Sequence, residues 1–154
     1  MDQAVAKIYG NKVRVRACGL CWDNDGLLMV NHAGITPGDF WAPPGGGVEF
    51  GQTIEAALKK EFREETGLDI RPEKFLFGCE YIGEPIHSIE IFYNVVIESG
   101  QLKTGCDPEI QIIKEVRFMS FDEIRKISDP EVHGIFRLVG SVADLRNLRG
   151  FFTI

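Results

Sequence analysis

PPGGGVEFGQTIEAALKKEFREETGL, residues 43–68, is the stretch on which the reading of this chain turns. Three consecutive glycines, Gly45, Gly46 and Gly47, lead into a segment with helical spacing that stops at Gly67. Thr53 suits the N-cap, because its hydroxyl accepts a backbone N–H of the first turn. Gly67 suits the stop, because glycine enters the left-handed region that ends many helices. On a wheel of about 100° per residue with Ile54 at zero, Ala57 falls at about 300° and Leu58 at about 40°. Glu61 falls at about 340° and Glu65 at about 20°, in the middle of the apolar stripe, while Glu64, at about 280°, lies at its edge. A helix that only covers a core carries Leu or Val at such positions. Inward-facing carboxylates repel one another and lose hydration. A bound hard cation relieves both problems, and oxygen ligands suit Mg²⁺, Mn²⁺ or Ca²⁺. The competing reading is a solvated acidic helix face.

The bulk numbers narrow the class of protein. The 154 residues are enough for one domain with a sizeable core, and 44% hydrophobic with 26% charged residues is ordinary for a globular chain. A net charge of −6 and a pI near 5.1 disfavour non-specific polynucleotide binding, which shows as a basic surplus. An anionic small molecule stays compatible if a metal supplies positive charge. No apolar run reaches the length of a membrane span. MDQAVAKIYGNK at the start lacks the apolar centre of a signal peptide, so a cytoplasmic address is expected.

Cys18 and Cys21 form a C-x-x-C, with Cys79 and Cys106 elsewhere. They lie in an extended apolar segment, where an odd separation puts the two thiols on opposite faces of a strand. Zinc pairs sit on tight turns, usually with a second pair following, and none follows here. Buried thiols without a structural disulfide are the expectation.

Outward from the glycines, residues 13–22 alternate as a strand, Asp23-Asn24-Asp25-Gly26 is a turn cluster, and 27–30 reads as the returning strand of a hairpin. Phe40 and Trp41 precede Pro43-Pro44, placed either to stack on a base or to pack under the loop. The glycine run has no G-K-[ST] and makes no G-x-G-x-x-G, so its task is close approach of backbone. Residues 48–50 read as a short strand. Phe75, Phe77, Cys79 and Tyr81 alternate, as do Ile89, Ile91, Tyr93, Val95 and Ile97 in what reads as a central strand covered on both sides. Residues 111–118 read as another strand. Ser120-Phe121-Asp122-Glu123 is a capping box, and Asp129-Pro130 opens what reads as a long helix. Strands between helices imply a sheet sandwiched by helices, in a single domain over 1–154.

Residues 46–68 resemble the Nudix box, G-x5-E-x7-R-E-U-x-E-E-x-G-U with U a bulky aliphatic residue. The frame falls on Gly46, Gln52, Lys60, Glu61, Phe62, Glu64, Glu65, Gly67 and Leu68. The likeness extends more loosely to the preceding hairpin, the W-x-P-P-G-G-G entry and the late strand followed by Phe-Asp-Glu-Ile. It departs at Gln52, where the family has Glu, at Lys60, where it has Arg, and at the aromatic Phe62. The resemblance implies an α/β fold, an α/β/α sandwich with a mixed β-sheet between helices. It implies Mg²⁺, with Mn²⁺ as the alternative, held by Glu61, Glu64 and Glu65. The implied reaction is hydrolysis of a pyrophosphate bond in a nucleoside diphosphate linked to another group. A non-catalytic module that binds a nucleotide metabolite is the alternative. Lys60 keeps the family's positive charge without the planar fork. Glu109 is the first candidate for a further carboxylate and Glu115 the second. Gly46 and Gly47 would shape the loop beneath the phosphates. Arg14 and Arg16 share one strand face, either toward the substrate or on a solvent-facing edge. Trp41 is a further substrate-side candidate. The implied partner is a nucleotide-type small molecule, with neither polynucleotide nor membrane, and a homodimer is an assembly common among similar proteins.

Overall fold

The alternating stretch forms β1 (Val13–Asp23), and the fold is arranged around it. The computed structural model describes residues 1–24, 26–106 and 110–154. β1 turns back into β2 (Gly26–His32), with Trp22 opposite Leu27 and Asp23 opposite Gly26. β2 then leaves β1 and pairs with β3 (Trp41–Ala42) and, on its other edge, with β7 (Ile113–Ser120). The edge that β2 vacates is taken by β4 (Gly45–Gly47), whose three glycines face Cys18, Ala17 and Arg16. Residues 48–50, expected as a strand, lie outside this ladder. The glycines replace them because only glycine comes so close: a Cβ at Gly45 would lie 2.4 Å from the Ala17 carbonyl oxygen.

The opposite edge of β1 runs parallel to β6 (Ile86–Gly100), from Val13 beside His87 to Cys21 beside Val95. β6 pairs antiparallel with β5 (Leu68–Gly83), and β5 pairs parallel with β8 (Gly150–Thr153). Among the described residues the mixed sheet runs β3-β2-β1-β6-β5-β8, with β4 beside β1 and β7 beside β2. The register shifts between Phe75 and Phe77, which breaks the expected alternation. Phe77, opposite Phe92, is fully buried, whereas Phe75, opposite Tyr93, is half-exposed.

One face of the sheet is covered by α2 (Ile54–Thr66). Thr53 accepts the Ala56 N–H at 3.1 Å, and Gly67, at φ 74°, donates its N–H to the Arg63 carbonyl. Ala57, Leu58 and Phe62 pack on Ala17, Cys21, Leu28, Val30 and Val95. The Phe62 ring fits because residue 19 is glycine: a Cβ there would lie 2.5 Å from Cε2. The other face is covered by α3 (Phe121–Arg125) and by 3₁₀ turns at Asp129–Glu131, Gly134–Arg137 and Val142–Asn147. Ser120 and Glu123 form the capping box of α3.

The long helix expected after Asp129-Pro130 is absent. Gly134 and Gly140 interrupt the pattern, yet Ile135, Val142 and Leu145 still bury against Leu20, Phe77 and Phe92. α1 (Gln3–Tyr9) was not anticipated; Asp2 caps it, and Val5 and Tyr9 pack on Ile112. The layers are those of the expected α/β/α sandwich. Cys18 and Cys21 sit in the cores on opposite faces of β1, all four thiols are free, and burial pushes Cys21 and Cys79 up to about 12. Among the described residues no helix is long and apolar enough to cross a membrane.

Candidate active site

β4 lies where the inward stripe of α2 meets the sheet, so glycine backbone faces carboxylates. A Cβ on Gly46 would lie 2.2 Å from the Glu61 Cδ, which places this carboxylate directly against the main chain. The Gly45 N–H donates to Glu65 Oε2 at 3.0 Å. Glu65 is only 4% exposed, and its Oε1 lies 3.6 Å from His32 Nε2, beyond hydrogen-bond length. Glu61 and Glu65 line a cavity of about 1030 Å³. Glu64 does not line it; its Oε2 is buried and has no hydrogen-bond partner among the described residues. This is the order the wheel gave, two carboxylates central and one at the edge.

Among the described residues no three His, Cys, Asp or Glu side chains converge into a ready metal cage. The donor set nevertheless suits a hard divalent cation: the Glu61 and Glu65 carboxylates against glycine backbone too close for any side chain, with the unpartnered Glu64 Oε2 buried on the same helix at the edge of that stripe.

The two departures from the box meet at one residue. Lys60 Nζ donates to Glu49 Oε1 at 2.8 Å, and the Gln52 side-chain carbonyl accepts the Glu49 N–H at 3.1 Å. The hydrogen bond to Glu49 raises the Lys60 pKa. Lys60 lines the cavity mouth.

Arg14 and Arg16 also line the cavity, since β1 is an interior strand and not a solvent-facing edge. The Arg14 guanidinium lies 4.0 Å from the centre of the Tyr9 ring, and a Cβ on Gly47 would lie 3.2 Å from its Nη2. Arg16 donates from Nη1 to Glu90 Oε1 at 2.9 Å and from Nη2 to the Gly45 carbonyl at 3.0 Å. Glu90 is 3% exposed and also accepts Ser88 Oγ at 3.0 Å and His133 Nε2 at 2.8 Å. Burial alone would raise the Glu90 pKa; Arg16 and His133 overcome that and hold it below the usual carboxylate range. An ionised carboxylate only accepts, so His133 is the donor, through Nε2.

Trp41 is corrected: it is buried in the core under Arg117, and Phe40 lines the cavity instead. Glu109 lies outside the described residues. Glu115 sits on β7, exposed and paired with Arg117 at 3.1 Å, away from the cavity. Glu90, Ser88 and His133 were not singled out as site residues from the sequence, whereas Phe40 reads there as placed either to stack on a base or to pack under the loop. The available signal was a glutamate and a serine on the face of β6 that also carries Phe92, where an apolar run is expected.

A fold of this kind, with acidic helix and glycine strand at one cavity wall, invites comparison with known proteins. The NUDIX domain model matches residues 12–138, and the chain belongs to this family. It is 35% identical to an ADP-ribose pyrophosphatase of Methanocaldococcus jannaschii over 69% of this chain and 60% of that protein. It is 50% identical to the nucleoside triphosphatase NudI of Escherichia coli over 52% of this chain and 67% of that protein. The chain thus spans about 60% of the length of the first of these relatives. A MutT NUDIX hydrolase from Burkholderia pseudomallei superposes with a TM-score of 0.70 at 18% identity, covering 89% of this chain and 98% of that one. A UDP-X diphosphatase superposes at 0.69 and 19% identity, covering 97% of this chain and 73% of that one.

Proposed function

We propose that this chain is a divalent-metal-dependent hydrolase that cleaves the pyrophosphate bond of a nucleoside diphosphate joined to a further group. The observation that carries the reading is the pair Glu61 and Glu65, two carboxylates from one helix in the wall of a large cavity, each against glycine backbone. The relatives' names, ADP-ribose pyrophosphatase and nucleoside triphosphatase, share a substrate chemistry of linked phosphates on a nucleoside.

Glu61, Glu64 and Glu65 would hold the cation, Mg²⁺ or Mn²⁺. The chemistry supplied on binding it is neutralisation of phosphate oxygens and acidification of water. The chain's own residues do the rest. Gly45 takes Oε2 of Glu65, while Oε1 lies 3.6 Å from His32 Nε2. Gly46 and Gly47 keep the wall free of side chains, so a phosphate group approaches the carboxylates closely. Lys60, oriented by Glu49, and Arg14 place positive charge at the cavity where an anionic substrate enters. Phe40 and Tyr81 offer aromatic surface in the same cavity for a base or ribose. A volume of about 1030 Å³ has room for a nucleotide with an appended group.

The test is a panel of ADP-ribose, nucleotide sugars, dinucleoside polyphosphates and nucleoside triphosphates, each incubated with protein and Mg²⁺ and then with excess chelator. Turnover of at least one member, abolished by chelation, is expected. Tight binding of one member with no turnover of any would instead identify a nucleotide-binding module.

A further inference from the structure

We infer that Arg16 is a positioning residue for the Glu65 carboxylate, acting through Gly45, and not a contact for substrate phosphate. This inference rests on the reading of Glu65 as a metal ligand. Gly45 is held at both ends. Its N–H donates to Glu65 Oε2 at 3.0 Å, and its carbonyl accepts Arg16 Nη2 at 3.0 Å. The residue cannot be buttressed by a side chain of its own, because a Cβ would meet the Ala17 carbonyl oxygen at 2.4 Å and the Cys18 Cα at 2.7 Å. The guanidinium therefore supplies from outside the restraint that glycine lacks.

The guanidinium is itself fixed. Its other terminal nitrogen is committed to Glu90, which is anchored by Ser88 on the same strand and by His133, the N-cap of the Gly134–Arg137 turn. A chain of hydrogen bonds thus runs from His133 through Glu90, Arg16 and Gly45 to Glu65, linking the two faces of the sandwich at the cavity. The Arg16 side chain is 18% exposed and both terminal nitrogens have protein acceptors, which is the arrangement of a strut and not of a phosphate clamp. Only a planar fork reaches two acceptors set apart in this way; a lysine ammonium would have to choose between Glu90 and Gly45. By donating to Oε2, Gly45 fixes the orientation of the Glu65 carboxylate, so loosening Arg16 loosens that orientation.

The experiment is a double-variant cycle read by Mn²⁺ binding to the substrate-free protein, followed by electron paramagnetic resonance of free Mn²⁺. Arg16→Lys, Glu65→Gln and the double variant are compared with the parent chain, with thermal melting to confirm folding. Arg16→Lys is expected to weaken Mn²⁺ binding about 10-fold, as loss of an outer-shell partner does. In the Glu65→Gln background the same change is expected to add less than about 2-fold, because the carboxylate it positions is gone. Steady-state kinetics on a turned-over substrate should show a lowered kcat with KM within about 3-fold.

Losses that multiply in the double variant would overturn the inference, as would unchanged Mn²⁺ affinity with a large rise in KM, the mark of a direct phosphate contact. Mn²⁺ binding that Glu65→Gln leaves untouched would overturn the metal-ligand reading itself, a result distinct from either. If Arg16→Lys does not fold, Ser88→Ala, which removes one uncharged hydrogen-bond donor from Glu90, enters the same cycle. A loss of roughly 3-fold that vanishes with Glu65→Gln supports the strut, and no loss overturns it.

Discussion

Gly46→Ala isolates the contact between glycine backbone and the Glu61 carboxylate. The added Cβ would lie 2.2 Å from Glu61 Cδ and 2.4 Å from Oε2. Ordinary carbon–carbon contact is about 3.5 Å, so the carboxylate must retreat by about 1.3 Å. Gly46 does not carry a positive φ, so alanine brings no left-handed strain, and the Glu61 carboxylate is half-buried, at the far end of a flexible side chain. The fold should therefore survive, with the melting temperature within about 4 °C of the parent. Catalysis should not survive intact: misplacing a reacting group by about 1 Å costs on the order of 10²-fold, or about 2.7 kcal/mol of transition-state stabilisation. The assay is kcat under saturating Mg²⁺ on whichever panel member the parent turns over, alongside thermal melting. A variant that melts with the parent and keeps its kcat would refute the claim that this carboxylate works where it stands. A variant that simply unfolds would show that the contact is structural.

Phe62→Ala removes a fully buried ring seated over Gly19 and should cost about 3–5 kcal/mol in urea unfolding; a loss under about 1 kcal/mol would mean α2 is not held to the sheet as described. Glu90 has its folded pKa depressed, so its stabilising contribution is complete above the unfolded value of about 4.3 and is lost as pH falls through the folded one. Glu90→Gln should cost about 3 kcal/mol at pH 7 and should show a flatter stability–pH slope below pH about 4.3 than the parent; parallel slopes would contradict the ion pair. Restoring the box with Gln52→Glu and Lys60→Arg together should change kcat by less than about 3-fold, because Lys60 already has a carboxylate in Glu49; a rise of 10-fold or more would show that the departures are defects.

Local chemistry made part of this structure readable from the chain. Thr53 and Gly67 bound α2 because each acts on its own neighbours, and the capping box of Ser120 and Glu123 spans only three residues. The hairpin of β1 and β2 was readable for the same reason. Distant pairing decided the rest. The choice of Gly45–Gly47 over residues 48–50 as a strand depends on the edge that β2 leaves open on β1. The apolar spacing at Ile135, Val142 and Leu145 was sound, but it reports burial, which 3₁₀ turns broken by glycine also satisfy. In the site, the helix wheel placed Glu61 and Glu65 inward without any fold. Arg16, Glu90 and His133 come from β1, β6 and the N-cap of a 3₁₀ turn, with Glu90 74 residues from Arg16 and 43 from His133. No local pattern joins residues so far apart, and Arg16 alone looked equally like a substrate contact or a surface charge.

The central claim is that the inward carboxylates of α2 carry the chemistry, and Glu65 is the most buried of them. The most direct measurement is the Mg²⁺-dependent kcat of Glu65→Gln against the parent chain on a substrate the parent cleaves, with folding confirmed by thermal melting. A loss of roughly 10³-fold with the fold retained is the predicted result. Turnover at the parent's rate by the folded variant would contradict it.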